Sequence, residues 1–277
     1  MESIEIRTLT DMKDLEDVRR LESEIWGAHD SIPSHQTLTA VKNGGMVLGA
    51  YDGGRLAGFQ YSFPGFNGTS VYLCSHILGT HPDYRNQGIG EKLKLAQRKE
   101  ALKLGYSLIT WTYDPLESIN GYLNIGKLGG TCSQYVENCY GEMEDLLNRG
   151  LPSDRFLVEW DISEAARQIP RPEDELQTAA AESLISWHME NGLPIPLDIK
   201  ESPLSKEEFI YTAIPADFRR IRETSPDTAL AWRMKTRMVF SRLFQEGWSV
   251  VRFLKGPKES PVHFYVLTKN SNDEVYI

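Results

Sequence analysis

The segment His81-Pro-Asp-Tyr-Arg-Asn-Gln-Gly-Ile-Gly90 sets two glycines and an arginine where an apolar run gives way to an amphipathic stretch. The first N–H groups of a helix have no partner within it, and the helix dipole adds about half a positive charge there. An anion such as a diphosphate is held at such a turn, and a residue without Cβ lets it approach the backbone. A plain structural turn is the other reading. The lysine and hydroxyl residue of a nucleoside-triphosphate loop are absent, because Gly90 is followed by Glu91 and Lys92. A dinucleotide fingerprint follows the first strand of its unit, whereas this turn comes after several elements.

Further chemistry is offered on both sides of the turn. His76 lies on the preceding apolar run, on one face with Tyr72, Cys74, Leu78 and Thr80 if two-residue alternation holds throughout. An imidazole there suits base chemistry near neutrality, with a structural histidine as the alternative. His81, closer to the loop, reads as positional. Thr110-Trp-Thr-Tyr-Asp-Pro115 leaves a strand, and Asp114 at its mouth could bind a substrate ammonium. Asn120 and Asn124, four apart on a short helix from Glu117 to Lys127, share a face and could hold carbonyl oxygens of a ligand or simply face solvent. Cys74, Cys132 and Cys139 are three thiols without metal spacing, so neither a metal site nor a disulfide is expected.

The elements that position these residues follow from periodicity. Ser3 to Leu9 alternates as a first strand, and Thr10-Asp11 caps a helix to Trp26 with Met12, Leu15, Val18, Leu21 and Ile25 as its buried stripe. A short helix over Ser34 to Lys42 precedes apolar runs at Met46 to Tyr51 and Leu56 to Phe63, which Asp52-Gly53-Gly54 joins as a hairpin. Val71 to Thr80 is a fourth strand, Ile89 to Leu104 a helix with Ile89, Leu93, Ala96, Ala101 and Leu104 apolar, and Leu108 to Thr112 a fifth strand. The first four strands are expected to be mainly antiparallel, and strands four and five parallel.

The chain has 277 residues, 40% hydrophobic and 25% charged, as in ordinary globular enzymes. Its net charge of −9 argues against nucleic acid or an anionic membrane as partner. No apolar run approaches the roughly 20 residues of a membrane span, and no signal-like core opens the sequence, so the cytoplasm is the expected compartment.

Beyond Gly141 the reading is coarser. Asn148 to Arg155 is turn-rich, Phe156 to Ile162 a strand, Ser163 to Gly192 acidic and partly helical, and Pro194, Pro196 and Pro203 mark a linker-like stretch. Phe209 to Ile214 is a strand; Ser225-Pro226-Asp227 starts a helix to Glu246 that buries Ala229, Trp232, Val239, Phe240, Leu243 and Phe244, with Arg233, Arg237 and Arg242 on its polar side. Ser249 to Leu254 and Val262 to Thr268 form a hairpin. The run Leu243 to Phe253 echoes Ala101 to Trp111, either as a decayed half-repeat or as a convergent helix-to-strand turn.

Leu78 to Gly90, with Pro82, Tyr84 and Arg85 in place, resembles the acyl-CoA loop of the GNAT N-acyltransferase superfamily, Arg/Gln-x-x-Gly-x-Gly/Ala after the fourth strand. The resemblance implies an α/β (α+β) fold, a mixed twisted sheet with a splayed parallel strand pair flanked by helices, over residues 1–162, plus a smaller C-terminal α/β domain over 163–277. It implies acyl-CoA held by Leu78, Gly79, Thr80, Arg85, Asn86, Gln87, Gly88, Ile89 and Gly90, with the pantetheine arm entering the splay beside Asn120 and Asn124. Many relatives place a tyrosine four residues before the glycine ending the next helix, to protonate the leaving thiolate; here that position is Ile125, which leaves Tyr122, Tyr140 or solvent. Transfer is direct to the amine, with His76 as candidate base and no metal. Ser75 to Gly79, Thr112 to Leu116 and Asp154 to Trp160 are similar to larger bacterial members, some associated with N-succinylation of amino acids. The donor is then acetyl-CoA or succinyl-CoA and the acceptor a small-molecule amine, with a dimer left open. A non-catalytic CoA-binding regulatory module and a protein acetyltransferase stand as alternatives.

Overall fold

The computed structural model describes residues 4–27, 31–141, 151–163, 174–200 and 208–269. Backbone contacts divide the chain into two compact units, Met1–Trp111 with Trp160–Ala166, and Thr112–Glu159 with Arg167–Ile277. The chain therefore changes unit inside two of its strands, and each unit is described by itself.

In the first unit, β1 (Glu5–Thr8), β2 (Met46–Asp52), β3 (Arg55–Phe66), β4 (Val71–Thr80) and the start of β5 (Leu108–Tyr113) lie side by side in that order. The first four are antiparallel; β4 and β5 are parallel. Neighbouring residues of a strand point to opposite faces, so each face can be named from β3. A Cβ on Gly58 would approach Ile89 and Leu93 of α3 (Ile89–Lys103), whereas Phe59 meets Trp26 edge-on at the end of α1 (Met12–Trp26). Helix α1, capped by the Asp11 carboxylate on the Asp14 N–H, buries Leu15, Val18 and Leu21 against Val47, Phe59 and Tyr61, and Leu38 of α2 (Ser34–Lys42) packs on the same cluster. The expected elements of this half are present at nearly the expected bounds.

Helix α3 departs from its expected stripe. It buries Ile89, Leu93, Lys94, Gln97 and Ala101, while Leu104 beyond its end is exposed and Ala96 only half-buried. Two polar residues thus occupy core positions.

In the second unit, β7 (Arg155–Asp161, whose last two residues belong to the first unit), β6 (Thr131–Val136), β11 (Trp248–Leu254), β12 (Val262–Lys269) and β10 (Phe209–Pro215) are neighbours in that order. The expected hairpin of β11 and β12 is present, and β6 is a strand that periodicity did not mark. Helix α5 (Glu175–Glu182) precedes a separate hairpin, β8 (Ile185–Glu190) and β9 (Leu193–Ile199), where the prolines had suggested a linker. Asn191 and Gly192 both have positive φ, 51° and 75°, the signature of a tight two-residue hairpin turn. Helix α6 (Phe218–Thr224) was likewise unmarked, whereas α7 (Pro226–Gln245) begins where proline favoured a start. Helix α7 buries Trp232, Val239, Phe240 and Leu243 as expected, but also Arg233, which had been placed on its polar side. Phe156 and Phe240 meet edge-on with ring centroids 4.7 Å apart, and Tyr265 joins them at 5.4 and 5.7 Å. Gly105 and Gly247, which end the two echoing helices, both take positive φ, 87° and 83°.

The turn-rich stretch from 148 and the acidic stretch from 163 fall partly outside the described residues, as does Pro203.

Candidate active site

Each glycine of the turn has a defined part. After one 3₁₀ turn, Pro82–Tyr84, the backbone reverses at Asn86 and Gly88, with φ of 62° and 75°. Gly88 is the N-cap of α3, no side chain caps it, and a Cβ there would meet nothing within 4 Å. The first turn of α3 closes with the Lys92 N–H on the Gly88 carbonyl at 3.1 Å, which leaves the N–H groups before it without a helical acceptor. Arg85, Asn86, Gln87 and Gly88 are exposed, Gly90 is half-buried, and Ile89 alone is anchored in the core. Open space, N–H groups with no acceptor within the helix and an aligned 15-residue helix are what an anion requires.

The turn is fastened to the β2–β3 hairpin. Tyr84 donates its hydroxyl to the Asp52 carboxylate at 3.2 Å, and Arg55 reaches Asp83 at 3.0 Å and the His81 ring at 3.0 Å. His81 accepts the Asp83 N–H on Nδ1 at 3.1 Å, the positional role expected of it. The Arg55–Asp83 pair is exposed and contributes little.

Strand β4 carries the second part. It pairs with β5 through Leu73 and Ile109 and through Cys74 and Thr110, and no further register follows, so the strands fork beyond Cys74 and Thr110. At the same level β4 has a bulge: Tyr61 pairs with Ile77 and Ser62 with Ser75, which leaves His76 as the extra residue. This corrects the expected alternation. His76 shares the α1 face with Tyr72 and Cys74, but Leu78 and Thr80 lie on the α3 face, because the bulge adds one residue between them. The His76 ring lies 6.1 Å from Tyr61 and 5.6 Å from Phe63 with part of its surface open, and burial against these rings lowers its pKa. Its imidazole is therefore neutral near pH 7. Gly79 is closed in: a Cβ would come within 2.7 Å of Phe59 and 2.9 Å of Trp26.

On the α3 face of the fork sits a polar cluster that periodicity did not reveal. Lys94 Nζ donates to Ser75 Oγ at 2.7 Å and lies 3.5 Å from the centre of the Trp111 ring; Ser75 also donates to Gln97 Oε1 at 3.3 Å. Burial drives the Lys94 pKa well down, and burial likewise raises that of Cys74.

The remaining candidates lie in the second unit. Asn120 is exposed on α4 (Ser118–Gly121) and Asn124 buried in the π-helical stretch Tyr122–Lys127 that continues it. The two amides thus differ in burial, Asn120 facing solvent and Asn124 covered. Tyr122 is exposed, flanked by Lys127 and Lys255, and Tyr140 bonds Thr112 Oγ1 at 2.8 Å. Asp114 is buried and paired with Arg233, and it also accepts the Leu116 N–H at 2.9 Å. These bonds occupy the carboxylate that the sequence had offered to a substrate ammonium.

The acetyltransferase (GNAT) family model matches residues 15–122, from α1 through the turn to the start of the π-helical stretch. Residues 15–122 form a GNAT acetyltransferase domain. Solved structures similar to the chain include the ribosomal-protein-S18-alanine N-acetyltransferase of Escherichia coli, at 16% identity, 61% of this chain, 100% of that chain and a TM-score of 0.48. The yncA protein of Salmonella typhimurium, solved with its cofactor acetyl-CoA, has the same identity and coverage with a TM-score of 0.47. A GNAT-family protein of Desulfovibrio desulfuricans gives 13% identity, 58% and 100% coverage and a TM-score of 0.44. No curated protein matches the sequence.

The stretch that matches the GNAT acetyltransferase family contains the glycine turn, the bulged β4 and the start of the fork. Among the described residues no cluster could hold a metal ion, and no helix is long and apolar enough to cross a membrane.

Proposed function

We propose that this GNAT domain transfers an acetyl or succinyl group from acyl-CoA directly to the amine of a small molecule. The observation that carries the reading is the Gly88 cap, a left-handed glycine with open space around it at the start of α3, where no side chain caps the helix. Residues Arg85 to Gly90 would hold the diphosphate, Leu78 to Thr80 would line the pantetheine arm, and the fork between β4 and β5 would receive the thioester.

The chemistry then needs a proton acceptor and a proton donor. His76, neutral at the bulge, takes a proton from the acceptor ammonium. The freed nitrogen lone pair attacks the thioester carbonyl carbon; the C–N bond forms, the C–S bond breaks, and its electron pair leaves on sulfur. The sulfur takes up one proton from water. Two protons leave nitrogen and one reaches sulfur, so one proton is released per turnover.

The test is release of free CoA thiol from acetyl-CoA and succinyl-CoA across a panel of amino acids of both hands and small amines. Turnover with at least one amine is expected. Tight CoA binding without turnover on any amine would favour a regulatory module instead, and turnover restricted to peptides a protein acceptor. In the same assay His76→Ala is expected to lower kcat roughly 100-fold with CoA affinity unchanged; unchanged kcat would remove His76 as the base.

A further inference from the structure

Lys94 is an amine placed where an apolar side chain would be expected. It is 3% exposed, and Ile89, Leu93 and Ala101, on the same buried side of α3, are apolar. Among the described residues no carboxylate pairs with it. From the neighbouring elements, the Cys74 thiol on β4 is the titratable group whose charge it senses. Its hydrogen-bond partner is the Ser75 hydroxyl, which also receives Gln60 Nε2 at 3.4 Å. Around them Gln60 Oε1, Gln97 Nε2 and Ser62 Oγ are buried without a hydrogen-bond partner. A buried ammonium with no counter-charge is costly, and so is each unsatisfied amide or hydroxyl atom.

The location gives that cost a purpose. The last paired residues of the parallel strands are Cys74 and Thr110, and the next residue on each strand, Ser75 and Trp111, is the one that Lys94 touches. Trp111 is itself fixed edge-on against Trp160, with centroids 5.9 Å apart at 87°. The Lys94 amine is therefore held at the vertex of the fork, next to the residue before the bulge at His76. We infer that Lys94 is a positioning residue for acyl transfer, which acts through Ser75 and Trp111 to fix the two strand ends between which the thioester would lie.

This rests on the proposed acyl-CoA reading. No bond to Lys94 forms or breaks. Acyl transfer needs the thioester carbonyl held in line with the attacking amine, and a loosened fork misplaces it by a fraction of an ångström without touching the diphosphate contacts at the glycine turn, so the interaction acts on kcat rather than on binding.

The inference makes stability and activity move in opposite directions. Lys94→Met keeps the length of the side chain and removes the uncompensated amine, so the melting temperature should stay level or rise. At the same time kcat should fall at least about 10-fold while KM for acyl-CoA and the affinity for CoA stay within about 2-fold. Ser75→Ala, a smaller change, should lower kcat in the same sense with CoA affinity kept. A drop in melting temperature that accompanies the loss of activity in both variants would make Lys94 structural and overturn the inference. So would wild-type kcat in Lys94→Met. If the wild-type protein turns over no acyl-CoA, the parent reading falls with it; if the wild type is active and Lys94→Met equally so, only the role of Lys94 falls.

Discussion

Gly88→Glu is expected to remove CoA binding while the protein stays folded. The position tolerates a side chain sterically, since a Cβ there would meet nothing within 4 Å, and the residue is exposed at the end of a helix rather than in the core. The structural cost is the left-handed backbone, φ 75°, which an L-residue adopts at about 1–2 kcal/mol. The functional cost is larger, because the new carboxylate occupies the space at the start of α3 and repels the incoming diphosphate. A loss of roughly 100-fold or more in affinity, about 2.7 kcal/mol, should appear in a calorimetric titration with CoA. Gly88→Ala separates the two effects: it carries the backbone cost without the charge and should weaken CoA by no more than about 10-fold. Equal binding by wild type and Gly88→Glu would place the diphosphate elsewhere.

The second large effect concerns Asp114, in the second unit. Arg233 is buried on α7, and although burial alone works against its charge, the Asp114 carboxylate holds its pKa above the ordinary arginine value. Two of its guanidinium nitrogens, Nε and Nη1, have no other partner, so Asp114 is the main compensation for a fully buried charge. Asp114→Ala should therefore destabilise the protein by about 3–5 kcal/mol, since it strands the arginine rather than merely deleting a contact. Replacing both residues, Asp114→Leu with Arg233→Met, should recover most of that loss. Thermal melting of the two variants checks this. A single variant as stable as the wild type would mean that the pair contributes nothing.

How much of this could be read from the sequence depended on whether a local pattern carried the information. The first five strands and their helices were legible because each has one buried face of regular period, and the glycine turn because its residue types are fixed by backbone conformation. The bulge at His76 was not, since it exists only in the register between Tyr61–Ser62 and Ser75–Ile77. Arg233 was read as a surface charge and Lys94 was not singled out, because nothing local distinguishes a lysine or arginine that a partner strand or carboxylate will cover. The β8–β9 hairpin was missed for a different reason. Pro194 and Pro196 outweighed the Asn191-Gly192 turn, yet both prolines lie in a two-stranded hairpin paired on one side only. The π-helical stretch after Gly121 was also not foreseen, since it has no sequence signature comparable to a cap.

The most direct test of the acyl-CoA loop is amide hydrogen exchange on the wild-type protein with and without saturating CoA. The N–H groups from Asn86 to Gly90 precede the first closed turn of α3 and should exchange rapidly in the free protein. Slower exchange concentrated there on CoA addition is the predicted result. CoA binding that leaves these amides unprotected, or protects only a distant segment, would contradict the assignment of the glycine turn as the diphosphate site.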